Sequence, residues 1–158
     1  MKRISTEILV IGGGPAGTPL AMALANAGKS VVLVESGPGL GGTCLFHGCI
    51  PSKIFRESAV IRNLMSLSAN FGVLGSSDAI PVMWDAVQRR RGSILGRRAA
   101  AALSASRHIP GLTVIFGFAS FSNPYTVLVD SSEEGVEISF EQAAIATGSS
   151  SRRLAVEG

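Results

Sequence analysis

A glycine-rich turn between a short apolar strand and a helix constrains the fold of this chain more than any other feature. Residues 7–11 form an apolar run typical of a strand buried on both faces of a parallel sheet, and the motif Gly12-x-Gly14-x-x-Gly17 follows at once. Residues 15–27 then carry apolar side chains at helical spacing, and a second strand over residues 31–34 ends at Glu35. The pattern predicts a βαβ unit.

The same turn predicts a dinucleotide site. The first glycine permits a tight turn, the second lets the backbone approach a pyrophosphate, and the third allows the helix to pack closely on the strand. The helix N-terminus presents unpaired N–H groups to the phosphates, and Glu35 stands where an acid accepts hydrogen bonds from a ribose diol. Since no Arg adjoins Glu35 to favour a 2′-phosphate, we expect FAD or NAD rather than NADP.

A pair of cysteines, Cys44 and Cys49, forms the second candidate site. A fully extended chain would hold their Cα atoms about 16 Å apart, whereas a disulfide needs roughly 4.4–6.8 Å, so the chain must curl, and Gly48 gives it freedom to do so. Pro51 suits the first turn of a helix beginning just after Cys49, and a helix N-terminus favours the thiolate. We therefore predict Cys49 as the better thiolate and Cys44 as the sulfur that exchanges with substrate.

Two alternatives to a redox dithiol were considered. The cysteines could be buried structural residues, or they could join His47 in a metal site, although zinc usually needs four ligands at short spacing. We expect no metal. Two cysteines in an apparently cytosolic chain are expected to serve chemistry, because reducing buffers keep ordinary thiols reduced in that compartment.

The remaining residues predict an α/β fold class, namely a Rossmann-like domain over residues 1–150 with a parallel sheet, helices and a small antiparallel meander. Two helical patterns are expected to form a pair, separated by a loop over residues 72–81. The predicted helices start at Pro51 and span residues 83–107, and the later strands are predicted over residues 112–121, 126–130, 136–140 and 143–147.

Composition limits the partners. A net charge of +3 and 6% aromatic residues do not indicate a nucleic-acid partner. The one basic cluster is interpreted as the solvated face of a helix, with a site for an anionic partner as the alternative. No apolar run reaches the length of about 18 residues needed to span a bilayer, so we expect a soluble, cytoplasmic protein without a membrane partner. The basic cluster mentioned above comprises Arg89, Arg90, Arg91, Arg97 and Arg98.

Taken together, these motifs resemble the FAD domain of the pyridine nucleotide-disulfide oxidoreductases. The run Gly-Gly-Thr-Cys-x4-Cys-Ile-Pro-Ser-Lys ends at Lys53, follows the glycine fingerprint and Glu35, and precedes Ala-Thr-Gly-Ser at residues 146–149. Ile50 and Ser52 fit the lipoamide branch of the family better than its glutathione reductases, while mercuric reductases share the Ser and remain an alternative. The resemblance covers essentially the whole chain.

The resemblance implies a role for each matching residue. Cys49 would lie against the flavin and form a charge-transfer pair with it when reduced, while Cys44 would exchange with a substrate disulfide such as lipoamide. Lys53 would lie near the flavin, and Glu35 would hold the adenosine ribose. The implied FAD contacts are Gly12, Gly14, Pro15, Ala16, Gly17, Glu35, Ser36, Gly42, Thr43, Cys44, Cys49, Lys53, Ala119, Thr147 and Gly148.

The chain departs from the family pattern in composition and in length. Phe46 and His47 stand where the family commonly has Asn-Val, so His47 is either an acid–base group near the thiols or a solvent-facing residue. Ser151 replaces a common Pro, and His108 is interpreted as a helix-end residue.

Family enzymes continue into an NAD(P)H-binding domain and into an interface domain whose His-Glu pair deprotonates the dithiol across a homodimer. Residues 151–158 would begin the linker to that NAD domain. We expect an excised fragment, with a split subunit and a truncated product as alternatives. A second functional hypothesis is a flavin-bearing electron-transfer module that acts with a separate partner protein.

This expectation gives a first prediction. The 158-residue chain should show little or no NADH-dependent reduction of lipoamide or another disulfide, because the resemblance assigns the hydride-donor site and the base to other domains. NADH oxidation followed by absorbance, with free FAD added, checks this. Robust turnover by the purified chain would refute it.

Overall fold

The fold is known from a computed structural model, which describes residues 1–73, 81–152 and 154–156. One sheet of six strands runs through it in the order β3-β2-β1-β6-β5-β4. The strands are β1 (Lys2–Ile11), β2 (Val31–Glu35), β3 (Leu112–Phe116), β4 (Phe118–Asn123), β5 (Thr126–Asp130) and β6 (Val136–Ile145), and the helices are α1 (Gly17–Asn26), α2 (Gly42–Phe46), α3 (Cys49–Leu67) and α4 (Trp84–Arg107).

The predicted βαβ unit and the α/β class are confirmed. Strands β1 and β2 pair in parallel, as do β2 with β3 and β1 with β6, whereas β5 is antiparallel to both β4 and β6. Gly28 follows α1 with φ +85°, the left-handed conformation in which glycine commonly ends a helix.

The core lies on both faces of the sheet because neighbouring residues of β1 point to opposite sides. Leu9 packs with side chains of β2, β5 and β6, while Val10 packs with Ala21 and Ala25 of α1 and with residues of α4. The side chains of Leu9, Val10, Ala21 and Ala25 are at most 4% exposed. Helices thus cover the Val10 face of β1, whereas residues of β5 and β6 cover the Leu9 face, so β1 is buried on both sides.

Several predicted strands have different boundaries in the structure. The strand predicted over residues 112–121 divides at Gly117 into β3, which pairs with β2, and β4, which pairs with β5. At Gly117 the N–H still donates to Glu35 O at 2.9 Å, but a Cβ there would lie 2.5 Å from Asp130 O. Glycine therefore allows the chain to leave one edge of the sheet and begin the other.

The strands predicted over residues 136–140 and 143–147 are instead one strand, β6. They merge because β1 is longer than predicted and pairs with β6 from Lys2–Val136 to Ile11–Ile145. Only the first part of β6 also pairs with β5. The meander is thus continuous with the parallel sheet.

The predicted helical pair forms between α3 and α4, where the rings of Phe55 and Trp84 lie 5.3 Å apart. Their predicted connection over residues 72–81 falls largely outside the described residues. His108 caps the end of α4, as predicted, with Nδ1 2.6 Å from Ser104 O. Among the helices of the described ranges, none has both the length and the apolarity to cross a bilayer.

Glycine substitutions test this packing. A Cβ at Gly17 would lie 1.8 Å from Gly12 O, a backbone atom that cannot move aside, whereas Gly92 in α4 has open space around it. We expect Gly17→Ala to lower the free energy of unfolding by about 2–3 kcal/mol and Gly92→Ala to raise it by about 1 kcal/mol. Urea unfolding monitored by fluorescence of Trp84, the single tryptophan, measures both; equal effects of the two would contradict the structure.

Candidate functional site

The carboxyl ends of the parallel strands border a cavity of about 810 Å³. Ligands bind at this edge in open α/β sheets, and the volume falls within the range of about 300–1,000 Å³ seen for ligand sites. All the predicted cofactor contacts except Gly17, Cys49 and Lys53 line it.

The glycine turn forms one wall through close backbone approaches. Gly12 has φ +104°, and a Cβ there would lie 2.3 Å from Ala146 O. Gly12 N–H donates to Val34 O at 2.7 Å, which ties the turn to the end of β2. Gly17 does not reach the cavity because its place is inside the first turn of α1, against Gly12. Glycine at these positions is therefore required by contact between backbones.

Glu35 connects the turn to the loop after β2. Its carboxylate accepts hydrogen bonds from Gly13 N–H at 2.6 Å and from Gly37 N–H at 2.5 Å. A carboxylate has about four acceptor positions, so two remain for a ligand. Sequence reasoning assigned only the ligand role to Glu35; the structure adds that it holds two loops together.

A second loop brings the cysteine segment to the same cavity. Gly41 N–H donates to Gly13 O at 2.8 Å, and a Cβ at Gly42 would lie 2.8 Å from Gly14 Cα. Gly42 itself has φ +55°. This approach places Thr43 and Cys44 in the cavity wall, next to the glycine turn.

The curl between the cysteines is a short helix and a turn. Cys44 lies in α2, which was not predicted, and Cys49 is the first residue of α3. Gly48 has φ −125°, so the turn does not use the left-handed conformation. Pro51 lies within the first turn of α3, where its missing N–H costs no helical hydrogen bond.

The pKa of Cys44 depends on its neighbours. A hydrogen bond to Cys49 is the main cause that raises the pKa of Cys44, with burial and the charge of Cys49 adding to it and the charge of Lys53 opposing it. Cys44 therefore keeps its proton to higher pH than an isolated cysteine does. The assignment of Cys49 as the better thiolate stays a prediction.

The structure places the two sulfurs differently from the expected arrangement at the cavity. Cys44 is half-buried and lines the cavity, whereas Cys49 is exposed and does not. Lys53 is exposed one turn further along α3. The assignment of Cys49 to the flavin and Cys44 to substrate stays a prediction.

His47 is exposed at the end of α2. Within the residues that the structure describes, its ring has no hydrogen bond, and no cluster of three or more His, Cys, Asp or Glu side chains is placed to bind a metal. Its two interpretations remain a solvent-facing residue and an acid–base group.

Some cavity residues were missed by the sequence reasoning. The aliphatic residues among them could have been identified because they lie at the carboxyl ends of parallel strands, where ligands bind. Phe118, which is 66% exposed, became recognisable only once the chain was seen to divide at Gly117. The missed residues are Ile11, Val34, Gly117, Phe118, Ala146 and Ser149.

Comparison with known proteins decides the family. The family model described as "Pyridine nucleotide-disulphide oxidoreductase" matches residues 6–158. The chain belongs to this family. The resemblance seen in the sequence is thereby confirmed.

Relatives within the pyridine nucleotide-disulfide oxidoreductases include proteins named dihydrolipoyl dehydrogenase. That of Buchnera aphidicola is 32% identical over 154 residues, covering 97% of this chain and 32% of the relative. That of Bacillus subtilis is 35% identical over 143 residues, covering 90% of this chain and 31% of the relative. The chain thus spans about a third of these relatives.

Solved structures of the family share the fold. The Cu(II) complex of the HOCl-induced flavoprotein disulfide reductase RclA from Escherichia coli has a TM-score of 0.72 at 27% identity. The match covers 98% of this chain and 31% of that one.

The thiol pair gives a prediction about pH. Replacing Cys49 removes the main cause that raises the pKa of Cys44, so Cys49→Ala should move alkylation of Cys44 by iodoacetamide to lower pH. Replacing Lys53 removes a charge that lowers this pKa, so Lys53→Met should move it to higher pH. Mass spectrometry of reduced chains alkylated across a pH series measures both. Shifts of the same sign in the two variants would contradict the described geometry.

Proposed function

We propose that this chain is the FAD-binding, dithiol-carrying part of an NAD(P)-dependent disulfide oxidoreductase of the dihydrolipoyl dehydrogenase type. One observation carries the proposal: Cys44 lies in the wall of a glycine-lined cavity, and Cys49 begins the next helix only five residues further along the chain. Two cysteines beside a cavity of ligand size suit electron transfer between a bound cofactor and a disulfide.

The cavity fits FAD by the chemistry of its donors. Gly12 and Gly14 leave room for backbone to approach a pyrophosphate, and the N-terminus of α1 favours negative charge there. Glu35 would accept from the adenosine ribose, and Thr43 and Cys44 would line the flavin side. Ala119, Thr147 and Gly148 would contribute from the ends of β4 and β6.

Phe118 adds an apolar contact for a base. Its ring lines the cavity, and 66% of the residue's surface is exposed. A large exposed aromatic at a cavity wall is costly to leave in water and suited to stacking on a heterocycle. We assign it to the adenine side, because Gly117 before it bonds to Glu35.

The dithiol would perform thiol–disulfide exchange. A thiolate of reduced substrate attacks Cys44 in the Cys44–Cys49 disulfide, forming a mixed disulfide and releasing Cys49 as thiolate. The second thiolate of the substrate then attacks the substrate sulfur bound to Cys44. This step closes a cyclic disulfide in the substrate and releases Cys44 as thiolate, so two electrons remain on the two cysteines. When bound, FAD supplies the two-electron chemistry that reoxidises the pair.

Substrate and organisation are proposed from the relatives. The relatives are named dihydrolipoyl dehydrogenase, which favours a dihydrolipoyl group as the substrate, whereas the solved neighbours are flavoprotein disulfide reductases. We propose that residues 1–150 form the FAD-binding domain and that residues 151–158 lead towards an NAD-binding domain. A homodimer and an NAD(P) site would belong to the whole protein.

Flavin binding tests the cavity assignment. The purified chain should bind FAD, and Phe118→Ser should raise the Kd about fivefold, the equivalent of about 1 kcal/mol of stacking. Tyr125→Ser is the matched control, because Tyr125 is also 66% exposed but does not line the cavity. Quenching of FAD fluorescence measures all three. A folded chain without FAD affinity, or equal losses in both variants, would contradict the assignment.

A further inference from the structure

Arg91 differs from the other arginines of its cluster. The cluster was interpreted as a solvated helix face, and Arg89, Arg90, Arg97 and Arg98 are indeed exposed. Arg91 is only half exposed, and its Nη2 donates a hydrogen bond to Phe46 O at 3.2 Å. For Arg91, the interpretation as a solvated residue was therefore wrong.

The acceptor is the last residue of α2, the helix that carries Cys44. The last four carbonyls of a helix have no partner within it, and a cation at this end is favoured by the helix dipole. The Arg91 guanidinium therefore both donates to an unpaired carbonyl and places a positive charge at the C-terminus of α2. The bond joins residues 45 positions apart in sequence.

Separate contacts fix the beginning, the middle and the end of α2, a helix of five residues. Gly41 N–H to Gly13 O holds the beginning of α2, and the buried side chain of Leu45 holds its middle. Arg91 holds the end, just before the turn that leads to Cys49. A five-residue helix is too short to be stable by itself, so its position depends on such contacts.

We propose that Arg91 is a positioning residue for the dithiol: by its bond to Phe46 O it fixes the C-terminus of α2 and thereby keeps Cys44 placed to form a disulfide with Cys49. The inference rests on the proposed function, because it concerns the disulfide that the chain would form during exchange. Arg91 does not line the cavity proposed for FAD. Its effect would therefore appear in the equilibrium between dithiol and disulfide, before any cofactor is added.

Glutathione provides the probe for this equilibrium. A thiolate of the pair attacks oxidised glutathione and releases one reduced glutathione, and the other cysteine then attacks the mixed disulfide and releases a second. The equilibrium constant measures how well the protein holds its two sulfurs together. Loss of positioning lowers it.

The experiment compares Arg91→Met with Arg90→Met in the full 158-residue chain. Both changes remove one positive charge from α4, but only the first removes the bond to Phe46 O. We expect the equilibrium constant for Cys44–Cys49 disulfide formation to fall about threefold to tenfold in Arg91→Met and to change less than twofold in Arg90→Met. Alkylation of samples equilibrated in glutathione buffers, followed by mass spectrometry, measures the disulfide fraction.

Arg91→Lys separates positioning from general destabilisation. Lysine retains a charge and a donor, although not the planar fork of arginine. The equilibrium constant for disulfide formation in Arg91→Lys should therefore lie between those of the parent and Arg91→Met. If Arg91→Met does not fold, an unchanged constant in a folded Arg91→Lys chain overturns the inference. Equal constants for Arg91→Met and Arg90→Met overturn it as well, while leaving the proposed function intact. A parent chain that forms no Cys44–Cys49 disulfide overturns both.

Discussion

The site depends on three backbone segments that approach more closely than side chains would allow. Gly12 contacts Ala146 at the end of β6, Gly17 contacts Gly12, and Gly42 contacts Gly14. A Cβ at any of these glycines would lie less than 3 Å from a backbone atom. The glycine turn is thereby joined to the sheet on one side and to the cysteine segment on the other, so one constraint sets both the cavity and the position of Cys44.

Two charged side chains complete this arrangement, one as an acceptor and one as a donor of hydrogen bonds. Glu35 accepts from the turn and from the loop that leads to α2, and Arg91 donates to the end of α2. Glu35 lies outside the glycine turn that it supports, and Arg91 lies outside the cysteine segment that it supports. The position of the cysteine segment thus depends on side chains of β2 and α4.

Much of the fold and site was predictable from local sequence. Gly12, Gly14 and Glu35 could be assigned because the motif fixes their spacing relative to a strand and a helix. The end of α4 at His108 followed from local chemistry in the same way.

The features that the sequence did not reveal depend on pairing between distant segments. The extent of β1 depends on β6, which lies more than a hundred residues away, and the division at Gly117 depends on Asp130 of β5. Helix α2 is too short for a periodic pattern. The bond from Arg91 to Phe46 likewise could not be read from an arginine cluster.

The central claim is that the Cys44–Cys49 dithiol lies against a flavin bound in the cavity. The most direct test compares visible spectra of three FAD-loaded chains: the parent after two-electron reduction, and Cys44→Ser and Cys49→Ser with the flavin left oxidised and the remaining cysteine a free thiol. We predict a long-wavelength absorbance band in the reduced parent and in Cys44→Ser, and no such band in Cys49→Ser. A band that is absent from the parent, or that survives only in Cys49→Ser, would contradict it.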